Sequence, residues 1–434
     1  MVNVSLTGLA QELNQRENSG IPIRVGLIGC GEMGTDIVVC MSRMKGVKLS
    51  AIVERNPKNA FEALKLVNPD DQTKAVESAD KLNAIIENNE TVVTNNPQAV
   101  FESGLIDVVI DATGVPDAGA NLGLQAINHG KHLVMMNVEA DVTIGPILNH
   151  YANKAGVVYS LGAGDEPSAC MELIEFASSL GYNIIAAGKG KNNPLDFDAV
   201  PEDYEEEARN RNMNPRMLVE FVDGSKTMVE MAAIANATGL IPDRPGMHGP
   251  KAGLDELSNI LIPVSRGGIL SAPGRVDFSI GKGVAPGVFV VIEADHPRLH
   301  ERMRDLKMGE GPFFTLYRPF HMTSLEVPLT CARVVLRKQP DMAPLKRLSA
   351  EVCAVAKTDL ATGDSLGLIG EHTYRAKTYQ ANEAKAQKAV PCGLLNGAKV
   401  KAAIKKGSLI TYENTQIDHT TPIAKLRKEQ DSLT

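Results

Sequence analysis

The segment IRVGLIGCGEMG occupies residues 23–34 and decides the fold prediction. Its first six residues form an apolar run with the length of a buried parallel strand, and the next six spell GxGxxG. A helix-prone segment at residues 35–44 and a second apolar run at residues 47–53 complete a β-α-β unit. Glu54 follows the second run, twenty positions after Gly34. This context predicts a dinucleotide-binding turn, because an acidic residue about twenty positions beyond the glycines binds the ribose in such units.

Each glycine of the motif has a separate predicted role. Gly29 makes the tight turn, Gly31 lets the backbone approach the pyrophosphate, and Gly34 lets the helix pack closely. Strands and helices alternate up to about residue 160, and polar turn residues that end two later strands lie where ligands bind in open parallel sheets. The predicted cofactor site comprises Gly29, Gly31, Glu32, Met33, Gly34, Arg55, Thr113, Gly114 and Asn137.

Composition places the chain among multidomain globular proteins. Of its 434 residues 43% are hydrophobic and 22% are charged, and the net charge of −7 argues against a nucleic-acid-binding protein. The sequence has no long apolar run and no apolar N-terminal segment, so we expect a cytoplasmic protein without membrane contact. Six scattered cysteines without a CxxC motif are typical of reduced thiols, so we expect neither a disulfide nor a structural zinc site.

Two loops beyond the nucleotide-binding region concentrate charged residues. GAGDEP at residues 162–167 and GKGKNN at residues 188–193 each follow a predicted strand. Paired acids and bases at strand ends are typical of an active site. The candidate catalytic residues are Asp165, Glu166, Lys189, Lys191 and Asp196, and the candidate substrate-binding residues are Asn192, Asn193, Arg318 and His321. The alternatives are that the two adjacent acids cap the following helix and that the last two residues are surface groups.

From about residue 344 the sequence consists of short apolar segments separated by turn residues such as Asn396-Gly397 and Lys406-Gly407. This pattern predicts a small β domain. The expected domains are residues 1–160 for dinucleotide binding, 161–343 for substrate and catalysis, and 344–434 for the β domain. The predicted fold class is α/β, with a Rossmann-type doubly wound sheet, an α+β catalytic domain and a small C-terminal β domain.

Several segments carry a resemblance to a known family. They are GLIGCGEMGTDIV, HLVMMNVEADVTIGP, SLGAGDEPS, AAGKGKNNPLDF, KTMVEMAAIANATGL, LEVPLTCARVV and VPCGLLNGAKVKAAIKKGSLIT. They resemble the homoserine-dehydrogenase-like oxidoreductases with a C-terminal SAF domain of the β-clip type, and the similarity spans essentially the whole chain. Within this group the chain is most similar to the second class of 1-deoxy-D-xylulose 5-phosphate reductoisomerases. Homoserine dehydrogenases have Lys after Asn where this chain has Asn137-Val138, which argues against a homoserine substrate.

The resemblance implies NADPH-dependent conversion of a phosphosugar, 1-deoxy-D-xylulose 5-phosphate, to 2-C-methyl-D-erythritol 4-phosphate, a step of isoprenoid precursor synthesis. A divalent metal, Mg or Mn, would polarise the hydroxy-ketone from carboxylates such as Asp165 and Glu166. We also expect a homodimer. Two alternatives stay open: an NAD(P)-dependent dehydrogenase of another small hydroxylated substrate, and a non-enzymatic dinucleotide sensor.

The residues at the end of the second strand leave NADH as the alternative cofactor. Glu54 suits a ribose hydroxyl, whereas Arg55 suits a 2′-phosphate. The preference for NADPH supposes that Glu54 turns outward or pairs with a nearby base, so that Arg55 contacts the phosphate.

Overall fold

The computed structural model describes residues 7–192, 195–211 and 213–433. The described chain divides into two compact units. The first unit comprises residues up to 165 together with 322–343, and the second comprises residues 166–321 together with 344–434.

The strands and helices of the chain are as follows. The strands are β1 (Ile23–Ile28), β2 (Val47–Val53), β3 (Val92–Thr94), β4 (Val108–Asp111), β5 (His132–Met135), β6 (Tyr159–Leu161), β7 (Asn183–Gly190), β8 (Ile241–Pro242), β9 (Arg275–Ser279), β10 (Val288–Glu293), β11 (Phe313–Arg318), β12 (Ala350–Ala356), β13 (Tyr374–Gln380), β14 (Lys399–Val400) and β15 (Thr415–Gln416). The helices are α1 (Gly8–Ser19), α2 (Glu32–Met41), α3 (Pro57–Val67), α4 (Ala79–Glu87), α5 (Pro97–Glu102), α6 (Pro116–Asn128), α7 (Val138–Ala155), α8 (Glu166–Ser179), α9 (Glu205–Asn210), α10 (Pro215–Val222), α11 (Ser225–Thr238), α12 (Leu257–Ile260), α13 (Pro297–Asp305), α14 (Val327–Leu336), α15 (Ala381–Ala386) and α16 (Pro422–Leu433).

The first unit is built on a six-stranded parallel sheet with the order β3-β2-β1-β4-β5-β6. This order defines the Rossmann-type doubly wound sheet and confirms the predicted fold class. The central strand β1 is almost fully buried, as its unbroken apolar run predicts. The carboxyl ends of β1, β2 and β4 therefore meet at one edge, where the glycine-rich turn lies.

Residues 322–343 fold with the first unit, whereas they were predicted to belong to the second domain. Helix α14 contributes Val327, Cys331 and Val334 to the same core as β1 and β2. The segment after it is tied to β6, because the backbone N–H of Leu161 donates to the carbonyl of Met342 at 2.8 Å. The sequence gives no local sign of this return, since the apolar face of α14 is compatible with any apolar surface.

The second unit contains a mixed sheet with the order β11-β10-β7-β9-β8. Strand β7 pairs antiparallel with β10 and parallel with β9. It extends to Gly190, three residues beyond its predicted end, because Lys189 pairs with Phe278 on one side and with Val288 on the other. Lys189 therefore lies on a strand, which corrects its assignment to a loop.

Residues 344–434 contain the antiparallel pair β12 and β13, the short pair β14 and β15, and helices α15 and α16. They belong to the same compact unit as residues 166–321. The N–H of Ala376 donates to Ser225 Oγ at 2.9 Å, and Thr378 Oγ1 donates to the carbonyl of Met228 at 2.7 Å. Strand β13 is thus hydrogen-bonded along helix α11.

A chain ending at residue 343 is expected to be insoluble or to melt more than about 10 °C below the full chain, since removing one partner of a buried ion pair costs about 3–5 kcal/mol. The truncation removes Lys357, whose Nζ lies 2.7 Å from Asp223 Oδ2, and both side chains are almost fully buried. Solubility and thermal melting of the truncated chain test this. A soluble product with an unchanged melting temperature would contradict it.

No helix among the described residues combines the length and the apolar content needed to cross a bilayer. All six cysteines are unpaired thiols, and five of them are buried.

Candidate functional site

The glycine-rich turn has the geometry of a dinucleotide-binding turn. Gly29 has a φ of +94°, and a Cβ there would lie 2.7 Å from the carbonyl oxygen of Ala112. A Cβ on Gly34 would collide with the carbonyl oxygen of Gly29. Gly31, by contrast, precedes helix α2 as its N-cap, and a Cβ there would meet no atom within 4 Å. The open space at the N-terminus of this helix suits a pyrophosphate group.

Helix α2 begins at Glu32, three residues before the predicted start at residue 35. Glu32 is exposed and Met33 is partly buried. Both residues therefore belong to the first helical turn rather than to a loop. A bound phosphate would accept hydrogen bonds from the free N–H groups of that turn.

Glu54 points at the glycine-rich turn. Its Oε2 accepts a hydrogen bond from the N–H of Cys30 at 2.7 Å, and its Oε1 accepts one from the N–H of Asn56 at 3.2 Å. The end of β2 is held beside this turn because the N–H of Gly29 donates to the carbonyl of Val53 at 2.9 Å. The supposition that Glu54 turns outward or pairs with a base is therefore wrong. Arg55 is exposed.

The polar residues after β4 and β5 make local contacts. Thr113 donates to Asp111 Oδ1 through its N–H at 3.0 Å and its Oγ1 at 2.7 Å. Asn137 is 1% exposed, and its Oδ1 accepts from the N–H of Ala140 at 3.2 Å as the cap of α7. Gly114 has a φ of +63° and open space at its Cα. Of these residues, Gly114 leaves the most room for a ligand, while Asn137 acts as a helix cap.

Lys189 lies at the centre of a buried ion cluster in the second unit. Its Nζ lies 2.5 Å from Glu166 Oε1 on α8 and also contacts Glu230 Oε2 on α11. Burial alone would favour the neutral amine, but the two carboxylates outweigh it and raise the pKa of Lys189 above its ordinary value. Lys189 is therefore a permanent cation, suited to fixing charge and orientation rather than to transferring a proton.

Lys191 is held differently, although it lies only two residues further along the chain. Its Nζ donates to the backbone carbonyl of Phe221 at 2.6 Å, and the residue is 6% exposed. Burial, together with the neighbouring charge of Lys189, lowers the pKa of Lys191 to about 8. An amine with this pKa can give and take a proton near neutral pH.

The remaining site predictions have different outcomes. His321 Nε2 lies 3.5 Å from Glu166 Oε1, at the ion cluster. Arg318 Nη1 instead lies 3.0 Å from Glu172 Oε2. Asp196 is exposed, and its Oδ1 accepts from the N–H of Asp198 at 3.2 Å within its own loop. The structure therefore brings His321 to the cluster, pairs Arg318 with Glu172 and leaves Asp196 in its own exposed loop.

Asn192, Asn193 and Asp165 complete the predicted site residues. Asn192 is exposed. Asn193 lies outside the described residues. Asp165 ends the first segment of the first unit, and Glu166 begins the second unit.

Sequence reasoning missed Glu230, which is fully buried. It lies in α11 between Val229 and Met231, where the apolar spacing suggested core packing alone. Lys226 Nζ, one helical turn earlier, lies 3.9 Å from Glu230 Oε1. The available signal was a carboxylate inside an otherwise apolar helix, because such a group needs a buried cation as its partner.

One oxygen of Glu166, a residue expected to bind the divalent metal, is paired with a lysine. The carboxylate oxygen Oε1 accepts from Lys189 Nζ at 2.5 Å. Mg²⁺ or Mn²⁺ bound to the same oxygen would lie against an ammonium group, and like charges at that separation repel strongly in a buried site.

Comparisons with known proteins agree with this division of the chain. A family model described as the NAD binding domain of homoserine dehydrogenase matches residues 29–161, and one described as the catalytic domain of oxidoreductase DRL matches residues 164–327. The chain is an NAD(P)-dependent oxidoreductase. Its first unit carries the nucleotide-binding sheet, and the Lys189 cluster lies in the part matched by the catalytic model.

Solved structures are similar at low identity. A probable dehydrogenase from Thermotoga maritima is 15% identical with a TM-score of 0.42, and the match covers 73% of this chain and 90% of that one. A scyllo-inositol dehydrogenase from Lactobacillus casei with bound NAD(H) and scyllo-inositol is 15% identical with a TM-score of 0.37, covering 68% of this chain and 76% of that one. No curated protein matches the chain.

Proposed function

We propose that the chain interconverts a carbonyl and a hydroxyl group on a small hydroxylated substrate, with NAD(H) as the cofactor and Lys191 as the proton-transfer group. The observation that carries this proposal is the contrast between the two lysines. Lys189 is fixed as a cation by two carboxylates, whereas Lys191 Nζ donates to a backbone carbonyl at 2.6 Å, makes no ion pair within the described part of the chain and has a pKa of about 8. One lysine orients charge, and the other can exchange a proton.

The residues of the second unit would act as follows. Bound nicotinamide supplies or accepts the hydride. Lys191 gives a proton to the carbonyl oxygen during reduction and removes it from the hydroxyl during oxidation. Lys189 holds Glu166 and Glu230 in place, and its fixed charge keeps the pKa of Lys191 low enough for this exchange. Burial of both amines excludes water and strengthens their charges toward a bound oxygen.

Glu54 changes the expected cofactor preference. Its carboxylate accepts from the N–H of Cys30, so it lies where a ribose would bind and would repel a 2′-phosphate. We therefore propose NADH rather than NADPH, and we expect kcat/KM to favour NADH by about tenfold or more, equivalent to about 1.4 kcal/mol.

Two glutamine variants test this preference. Glu54→Gln should reduce it because the negative charge is lost, and Glu90→Gln, at an exposed position of the same unit, should leave it unchanged. A wild-type preference for NADPH would contradict this assignment and restore the role expected for Arg55.

The reductoisomerase activity implied by the resemblance is the competing candidate. The pairing of Glu166 with Lys189 favours simple carbonyl reduction, because a metal on the paired oxygen Oε1 would lie against an ammonium group. NAD(P)H oxidation with 1-deoxy-D-xylulose 5-phosphate, with added Mg or Mn and with EDTA, tests the candidate directly. A panel of polyols and hydroxy acids, assayed with NAD⁺ and NADP⁺, tests the proposal. Turnover of a panel member in EDTA supports it, and metal-dependent turnover of the phosphosugar alone overturns it.

A further inference from the structure

Three basic side chains of the second unit lie together: Arg244, Arg375 and Lys377. Arg375 and Lys377 are two positions apart on β13, so both project from the same face of that strand. Lys377 packs against the loop that contains Arg244, since a Cβ on Gly246 would lie 3.0 Å from Lys377 Cε. The N–H of Gly246 donates to the carbonyl of Thr378 at 2.7 Å, which fixes the loop to the strand. We call these three residues the basic cluster.

The basic cluster has no ion pair with any carboxylate among the described residues. Four buried or largely buried cations of this unit, by contrast, have carboxylate partners, although Lys191 has none among the residues that the structure describes. Lys189 contacts Glu166 and Glu230, Lys357 lies 2.7 Å from Asp223, Arg275 lies 2.7 Å from Asp243, and Arg427 lies 2.5 Å from Glu351. In the basic cluster, Arg244 is exposed and donates through Nε to the carbonyl of Met247 at 3.1 Å, while Arg375 stacks on the ring of Phe197 at 4.1 Å.

The three cations also affect one another. Burial and the nearby charges of Arg375 and Arg244 lower the pKa of Lys377. Burial also lowers the pKa of Arg375, although the charges of Asp223 and Asp198 partly offset this. Partly buried cations that repel one another are stabilised by an anion placed between them. The cluster is therefore better satisfied with a bound anion than without one.

The basic cluster borders the Lys191 site through the turn at residues 221–225. Lys191 Nζ donates to the carbonyl of Phe221, and the N–H of Asp196 donates to the carbonyl of Val222 at 3.0 Å. The N–H of Ala376, next to Arg375, donates to Ser225 Oγ at 2.9 Å. Lys191 and Ala376, the neighbour of Arg375, are thus hydrogen-bonded to the two ends of one short turn.

The loop that contains Arg244 also reaches the side of the sheet that carries Lys189. Lys189 and Phe278 are cross-strand partners, so their side chains project to the same face. Gly249 lies directly against the ring of Phe278. The loop that begins near Arg244 therefore reaches the residue paired with Lys189.

We propose that Arg244, Arg375 and Lys377 bind an anionic group of the substrate, a phosphate or a carboxylate, while Lys191 serves the reacting oxygen. This inference rests on the proposed function. It gives the C-terminal region a direct role in substrate specificity, since β13 supplies two of the three cations. Guanidinium groups suit this task because they bind carboxylate and phosphate oxygens with two parallel hydrogen bonds.

Binding of simple anions tests the inference without a known substrate. The full chain would be titrated with inorganic phosphate and with acetate by calorimetry, alongside Arg375→Met, Lys377→Met and Arg244→Gln. Methionine keeps the apolar stem of each side chain, so packing is largely retained. Affinity for at least one anion should fall about tenfold or more in the variants, because each loses a charge-assisted contact. Arg211→Met, at an exposed surface pair with Glu207, is the matched control.

The outcomes are distinct. Loss of phosphate affinity identifies a phosphate-bearing substrate, and loss of acetate affinity identifies a carboxylate. If all three variants bind the anions as tightly as the wild type does, the inference is overturned. If the two variants on β13 fail to fold, the anion affinity of Arg244→Gln still provides this test. With a turned-over substrate, Arg375→Met should raise KM about tenfold with little change in kcat. If KM in this variant is normal, the inference is overturned but the proposed function is not. If kcat in a Lys191 variant is normal, it is the proposed function that is overturned.

Discussion

Replacing Lys191 by Met is expected to lower kcat by a factor of about 10² to 10⁴, the usual contribution of a general acid or base. The affinity for the dinucleotide should stay unchanged, because the glycine-rich turn belongs to the other compact unit. The substitution retains the apolar stem in a site that is 94% inaccessible to solvent, and it removes the amine that donates to the carbonyl of Phe221. Lys428→Ala, at an exposed position on α16, is the matched control.

The direction of the pH dependence makes this test specific. Burial, with the charge of Lys189, lowers the pKa of Lys191 to about 8, so the ammonium form predominates below that pH and the neutral amine above it. During carbonyl reduction the ammonium donates a proton, so kcat/KM should fall as pH rises through about 8. During alcohol oxidation the amine accepts one, so kcat/KM should rise over the same range.

Profiles measured in both directions should therefore be mirror images in the wild type. The residual activity of Lys191→Met should lack this transition. The same transition in the variant would show that another group transfers the proton, and it would contradict the role given to Lys191.

The parts of the fold that could be predicted from the sequence are those with local signals. The apolar run and glycine spacing of residues 23–34 predict β1 with the bounds that the structure has, together with the turn that follows. The direction of Glu54 could not be predicted, because it depends on how closely the end of β2 lies to the N–H of Cys30. That distance is a property of the assembled sheet rather than of either segment.

The second unit was less predictable because its site is assembled from distant segments. Lys189 and Lys191 were found from their own loop-like sequence, but Glu230 lies about forty residues further on in an apolar helix. Arg375 and Lys377 alternate with buried residues on β13, a pattern that predicts an ordinary half-exposed strand. Only the hydrogen bonds between β13 and α11 show that this strand lies along the helix that carries Glu230.

Gly31→Val is expected to raise the dissociation constant for NADH by a factor of about 100 or more, since the added side chain fills the space where the pyrophosphate approaches. The fold should be unaffected. Gly31 has a φ of −81°, which valine adopts, and a Cβ there meets no protein atom within 4 Å. The chain has no tryptophan, so the emission of NADH itself is the appropriate binding signal.

Two further glycines separate loss of binding from loss of folding. Gly34→Val should lower the free energy of unfolding by about 1–3 kcal/mol, because its Cβ collides with the carbonyl oxygen of Gly29 inside the turn. Gly104→Val, at an exposed turn with open space, should change neither property. If Gly31→Val bound NADH as the wild type does, the dinucleotide could not lie against this turn. If it instead melted like Gly34→Val, the space at Gly31 would be needed by the protein and not by the cofactor.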